Sequence, residues 1–314
     1  MFKKISIIGG GGTVGSSTAF CLSGKDICDE IVIYDVADKL ARHHVYDINC
    51  SICKTSSTKV VAAETESDIA GSEVVVVGSS LPMGDGGAYR CSDELLFALA
   101  GLGKILRDYA QDAVVITLTN PADVVNTLLW MTSGKPAKQF LGFSINDSVR
   151  LDMAVAAYTG VSPQKITSYC VGEHGFTKAP VLSSVMVDGV ERSFTDAEAE
   201  IIQKDSADRW ADFLKLGINR TAGWSTGVYA ATCIETIAGV LKEPLECSVI
   251  LDGEYGYKGM SLGTPVYLCR EGVEKIVEME LNEREKGLLQ KSYEFVQSRI
   301  DELVDRGKEI GLIE

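Results

Sequence analysis

The stretch Ile5–Ser17, ISIIGGGGTVGSS, sets four glycines directly behind an apolar run. Glycine loses the most conformational freedom on ordering and has no side chain to pack. Four together point to a place where something must approach the backbone closely. The run before them is short and Ile-rich, as a buried strand would be, and Val14–Ser23 reads as a helix. Between a strand and a helix, Gly10-x-Gly12-x-x-Gly15 has the context of a dinucleotide-binding turn. There Gly10 permits the tight turn, Gly12 lets the backbone approach a pyrophosphate, and Gly15 lets helix pack on strand. A shifted register, Gly9-x-x-Gly12-x-x-Gly15, reads equally well. The helix start, Thr13 and Val14 included, offers open N–H groups and a positive dipole end to the phosphates. A second strand, EIVIYD, ends in Asp35, twenty positions after Gly15. An acid at that offset accepts both ribose hydroxyls and repels a 2′-phosphate, so the expected cofactor is NAD rather than NADP.

Outward from this turn, the pattern repeats. SEVVVVG and AVVITLT are further Val/Ile-rich runs, separated by helical stretches such as Ser92–Ala110. Strand–helix alternation predicts a parallel sheet covered on both faces. The pattern changes near Gly142. A helix from about Asn146 to Thr159 leads into ITSYCVG and PVLSSVMVDG, then into two long helices, Asp196–Asn219 and Thr226–Leu241. CSVILDGEYG, TPVYLCREG and VEKIVEM alternate as antiparallel strands, and Asn282 with Glu285 forms a capping pair for the last helix. The expected fold class is α/β. A Rossmann-type doubly wound parallel sheet over residues 1–143 is followed by an α+β substrate-binding and catalytic domain over 144–314.

Composition narrows the class. The chain has 314 residues and a net charge of -14, which argues against nucleic-acid or anionic-membrane partners. No apolar run reaches the ~20 residues of a membrane span, and MFKKIS lacks the apolar core of a signal peptide. Nine cysteines, an odd number scattered through apolar contexts, fit free thiols in a reducing cytoplasm. Cys50 and Cys53 make a C-x-x-C behind His43 and His44, but no second pair follows at zinc-ligand spacing, so no metal is expected.

Four segments carry candidate chemistry. His174, one of three histidines, stands between glycines in CVGEHGFTKAP, on a turn where its side chain can face a cleft. Asp147 and Arg150 in FSINDSVRLD lie three apart and share one face at a helix start. Asn120 precedes Pro121 in TLTNPAD, at the carboxyl end of a buried strand, where open α/β sheets bind ligands. The glycine-rich SSLPMGDGGAYR ends in Arg90 and reads as a lid that delivers a charge on closing.

In this order and spacing, GGGGTVG, IVIYD, VVVVGSSLP, TNPAD, NDSVR, GEHG, LDGEYGYKG and LGTPVYL make the chain resemble the lactate/malate dehydrogenase family from end to end. The resemblance implies an NAD-dependent L-2-hydroxy acid dehydrogenase that forms homodimers or homotetramers. His174 matches the catalytic histidine, Asp147 its carboxylate partner, Arg150 the arginine that binds the substrate carboxylate, and Arg90 the loop arginine. Asn120 matches the asparagine near the substrate carbonyl and the cofactor. Two stretches depart from the family pattern. Met83 stands where arginine suits oxaloacetate and glutamine suits pyruvate, in a loop one residue longer before Arg90. A thioether cannot pair with a second carboxylate, so a monocarboxylic, lactate-type substrate is expected, with malate as the alternative. In NRTAGWSTG, Ala222 replaces a frequent threonine and Arg220 a usual glycine, which would place a distal cation for an acidic substrate tail. A non-catalytic NAD-binding sensor would have no need to keep His174, Asp147, Arg150 and Arg90 together. An NAD-using glycosidase would recruit a divalent metal through Cys and His, which GEHG fits poorly.

Overall fold

The computed structural model describes residues 1–80, 92–218 and 220–313. The first half alternates strand and helix: β1 (Phe2–Ile8), α1 (Thr13–Ser23), β2 (Cys28–Tyr34), α2 (Asp38–Ile52), β3 (Lys59–Ala62), β4 (Val74–Val77), α3 (Asp93–Tyr109), β5 (Val114–Thr117), α4 (Ala122–Ser133) and β6 (Phe140–Phe143). After them come α5 (Ile145–Thr159), β7 (Ile166–Val171), β8 (Ala179–Val187), β9 (Val190–Arg192), α6 (Asp196–Lys215) and α7 (Gly223–Ile237). The chain closes with β10 (Leu245–Asp252), β11 (Lys258–Cys269), β12 (Gly272–Ile276) and α8 (Glu283–Glu309).

Strands β3-β2-β1-β4-β5-β6 pair in parallel in that order, the doubly wound arrangement. All four valines of β4 are buried, as a strand covered on both faces requires. The later strands do not build a separate sheet to match. β10 pairs antiparallel with β6, and β11 and β12 follow, so nine strands form one mixed sheet. Among the described residues, only β7-β8-β9 stand apart as a small antiparallel sheet. The α/β class holds, but its two halves share a spine.

Helix ends follow local chemistry. Ser92 caps α3 by accepting from the Leu95 N–H at 3.2 Å. Asn282 and Glu285 form the expected reciprocal cap of α8, at 2.9 and 3.0 Å. Two expectations shift: α6 ends at Lys215 and α7 runs from Gly223 to Ile237 instead of Thr226 to Leu241. Gly239, at φ +79°, turns the chain before Leu241 can join α7.

Helix α1 is packed so closely that its polar residues must bond inward. Ser17 and Thr18 are buried, and their hydroxyls donate to the carbonyls of Thr13 at 2.6 Å and Val14 at 2.7 Å. Glycines on α7 permit the approach. A Cβ at Gly223 would meet Thr13 Cγ2 at 2.6 Å, and one at Gly227 would meet the Ser17 carbonyl at 2.8 Å.

Candidate active site

The glycine run has a separate steric reason at nearly every position. Gly9 takes φ +80°, so the tight turn falls there rather than at Gly10, and the shifted register describes the backbone. A Cβ at Gly10 would sit 2.5 Å from Ile33 Cγ2 on β2, and one at Gly15 would sit 2.4 Å from the Gly9 carbonyl oxygen. At Gly11 it would lie 2.9 Å from Asp35 Oδ2. That oxygen accepts the Gly11 N–H at 2.8 Å, while Oδ1 accepts the Ala37 N–H at 2.8 Å. The carboxylate is thereby fixed over the turn, with a second lone pair on each oxygen for a ligand hydroxyl.

Gly12 is the N-cap of α1; no side chain caps that end and its first turn carries no acid. The N–H groups of that turn, at Thr13 and Val14, thus meet neither a competing cap nor a negative charge. A backbone cradle with an unblocked helix start and a fixed carboxylate fits a dinucleotide. β1 and β4 flank the point where strand order reverses, the crevice in which such sheets bind ligands.

The second cluster is built from side chains. His174 follows β7 on a turn that opens at Gly172, φ +94°, which is bonded both ways to Gly263 of β11. Its backbone N–H donates to Asp123 Oδ2 of α4 at 2.7 Å, so three elements hold the turn. Asp147, on the first turn of α5, is buried and places Oδ2 2.6 Å from His174 Nδ1. Its Oδ1 accepts from Lys178 Nζ at 2.9 Å and lies 3.4 Å from an Arg150 nitrogen.

Charge decides how these groups ionise. Burial disfavours the Asp147 anion, but the His174 and Lys178 charges and hydrogen bonds prevail and hold it well below the usual carboxylate range. Burial would likewise lower the His174 pKa, and the charge and hydrogen bond of Asp147 outweigh that, raising it above the usual value. Asp123 responds in the opposite sense. Burial pushes it up to about 6, which the Ser248 hydroxyl and the His174 contacts only partly offset. Two buried aspartates beside one histidine are thus shifted in opposite directions.

Arg150 is gripped by its face. Its guanidinium carbon lies 4.3 Å from the centroid of the Trp210 ring on α6. Stacking of that kind leaves the in-plane N–H fork for a carboxylate. Asn146, also on α5, donates to Thr226 Oγ1 on α7 at 3.3 Å, and α7 packs on α1. The glycine turn and the histidine cluster are therefore coupled through α7.

The structure brings His174, Asp147 and Arg150 together, as the sequence suggested, and sets Asn120 exposed at the carboxyl end of β5. Arg220 is exposed ahead of α7. Met83, Arg90 and their glycine-rich loop lie outside the described residues. Sequence reading missed Asp123, Lys178 and Trp210. The first two lie inside stretches already singled out, TNPAD and GEHGFTK, but nothing in their spacing points them at His174 or Asp147. Cys50 and Cys53 are free and exposed at the end of α2. Among the described residues no group of three or more His, Cys, Asp or Glu is placed to hold a metal ion, and no helix is long and apolar enough to cross a membrane.

Fold and site together define an NAD-dependent oxidoreductase acting on a CH–OH group. Residues 3–142 match the lactate/malate dehydrogenase NAD-binding domain and residues 146–306 the alpha/beta C-terminal domain, and the chain belongs to that family. A malate dehydrogenase of Natronomonas pharaonis is 33% identical over 311 residues, covering 96% of this chain and 99% of the relative. Among solved structures, the malate dehydrogenase of Salinibacter ruber superposes with a TM-score of 0.88 at 26% identity, over 98% of this chain and 99% of that one. The lactate dehydrogenase of Cryptosporidium parvum, solved with lactic acid and nicotinamide adenine dinucleotide, gives 0.87 at 27% identity, over 96% and 98%.

Proposed function

We propose that this chain interconverts a small L-2-hydroxy acid and its 2-oxoacid, with His174 carrying the proton. The observation that carries the reading is the 2.6 Å contact between His174 Nδ1 and Asp147 Oδ2. With Nδ1 engaged, Nε2 is the nitrogen left to exchange a proton with the substrate's C2 oxygen. Asp147 fixes the tautomer and favours the imidazolium. Arg150, backed by Trp210, binds the C1 carboxylate through its planar fork and so orients C2. NAD, when bound, supplies or accepts the hydride at its nicotinamide. Gly10, Gly12, Thr13, Val14 and Gly15 would cradle its pyrophosphate, Asp35 would take its adenosine ribose hydroxyls, and Asn120 would border the reacting end. In this reading residues 1–143 hold the cofactor and 144–314 the substrate. Arg90 is the second arginine assigned to the substrate.

The substrate's tail is the finer question. The relative of Natronomonas pharaonis is named malate dehydrogenase, which favours a dicarboxylate, malate and oxaloacetate, for this chain too. Arg220 is the cation we assign to the distal carboxylate. The specific observation favouring a monocarboxylate is Met83, whose thioether offers an anion no partner. A panel of pyruvate, oxaloacetate and branched, aromatic and longer dicarboxylic 2-oxoacids with NADH tests both. Preference for oxaloacetate that Arg220→Ala abolishes supports the dicarboxylate reading. Preference for pyruvate, with Met83→Arg raising kcat/KM for oxaloacetate about tenfold, or ~1.4 kcal/mol, supports the other. The reading includes a homodimer or homotetramer, supported by the large apolar side chains exposed on α2 and α7, among them Tyr46, Trp224 and Val228. Light scattering at micromolar concentration measures it.

A further inference from the structure

Lys178 has no part in the chemistry just described, yet it holds the carboxylate on which that chemistry depends. It lies directly before β8, opposite the Gly172 turn, because Val171 pairs with Ala179 across the small sheet. From there its ammonium reaches Asp147 Oδ1 at 2.9 Å, with only 24% of its side chain exposed. Asp147 is consequently anchored at both oxygens, Oδ2 by the imidazole and Oδ1 by the ammonium. A carboxylate held at one oxygen swings easily about its terminal torsion, which is broad. A second anchor stops that motion and keeps Oδ2 on Nδ1.

The ammonium also acts by its charge. A dyad of buried carboxylate and imidazole favours the charged imidazole strongly, and a histidine locked in that state cannot take a proton from a hydroxy acid near neutral pH. Resting on the reading of His174 as proton carrier, we propose that Lys178 is a positioning residue: it fixes Asp147 and draws on its charge, so that His174 can both give and take a proton. The other groups facing the pair are Arg150 of α5, Asp123 of α4 at the His174 backbone, Glu173 beside it in the chain, Cys170 of β7 and Glu246 of β10. Among the described residues, Lys178 is the one cation besides the histidine itself that is bonded to Asp147 within 3 Å. The ammonium opposes the imidazolium, and Asp147 in return keeps Lys178 charged, raising its pKa against the effect of burial.

The experiment is a pH titration of the imidazole signals by NMR on the intact enzyme, without substrate. The sequence has three histidines, and His174→Asn assigns the third signal by removing it. In Lys178→Met the His174 titration moves to higher pH, the basic limb of kcat/KM for 2-oxoacid reduction follows it, and kcat for hydroxy acid oxidation at neutral pH falls about tenfold. Lys178→Arg retains the wild-type titration. Where Lys178→Met fails to fold, Lys178→Gln, which removes the charge but not the polarity, is read the same way. A His174 titration unchanged in the folded neutral variant overturns the proposal. Activity surviving in His174→Asn would instead overturn the proton-carrier reading, and the NMR titration separates the two failures.

Discussion

The two halves of the site are specified in opposite ways. The cradle after β1 is made by backbone: its shape comes from missing Cβ atoms at Gly9, Gly10, Gly11 and Gly15, and one side chain, Asp35, finishes it. The histidine cluster is made by side chains from α4, α5 and the β7–β8 turn, and its working state comes from charges sharing one buried carboxylate. A backbone site tolerates change in what decorates it and fails when a methyl group is added. A charge cluster tolerates small shifts in shape and fails when a proton or a charge is moved. The contrast sorts substitutions by mechanism and can be broken by experiment.

The largest effect belongs to the cluster. His174→Asn should lower kcat by about 10²–10⁴-fold while leaving NADH affinity as it was, since the imidazole serves only the substrate end. NADH fluorescence titration beside steady-state rates checks both halves, and an active variant would refute the assignment. Asp147→Asn comes next, with a loss on the order of 10²-fold and a change in pH dependence. Reduction needs the imidazolium, so kcat/KM for a 2-oxoacid is level at low pH and declines as pH rises through the raised His174 pKa. Removing the anion that raises that pKa makes the decline begin at lower pH; oxidation, which needs the neutral ring, gains its rate at lower pH too. A limb that stays put or moves up would separate Asp147 from the histidine's ionisation.

The cradle should answer to sterics instead. Gly15→Ala sets a methyl 2.4 Å from the Gly9 carbonyl oxygen, which backbone cannot accommodate without shifting. Overpacking of this kind costs about 1–3 kcal/mol. A lower Tm with NADH affinity weakened about tenfold or more is expected, and the pH profile of the remaining activity should not change. A changed profile would mean that the two regions are not separable. The smallest effect is at Asp35. Asp35→Ser should cut the preference for NADH over NADPH by about tenfold, the scale of one charge-assisted pair, with little change in kcat. Equal kcat/KM for both cofactors in the unmodified enzyme would remove the basis for the substitution.

Much of the cradle was legible in the chain because it is local. A strand, four glycines, a helix and an acid twenty positions on are all within one βαβ unit, and each reading follows from what a glycine or a carboxylate can do there. Even so, the register was not: only the folded backbone shows that Gly9 takes the positive φ and that Gly11 is excluded from a side chain by Asp35. The cluster was legible in its parts. His174, Asp147 and Arg150 stood out by their company, and the structure brings them together.

Residue types and spacing thus determined the α/β class and the dinucleotide turn, since those depend on neighbours in the chain, whereas the pairing of His174 with Asp147, 27 positions apart, was implied only by the family resemblance. Tertiary structure alone decided the rest. It joined β10 to β6 so that both halves share a sheet, laid Trp210 under Arg150, and brought α7 onto α1 through Gly223 and Gly227. It also gave the two buried aspartates opposite tendencies, Asp123 up to about 6 and Asp147 well down. The reason is physical: both are the same residue on the first turn of a helix, and what separates them is a through-space sum of desolvation and charge. Lys178 adds its charge to that sum from thirty-one positions away, across a contact that no local pattern encodes.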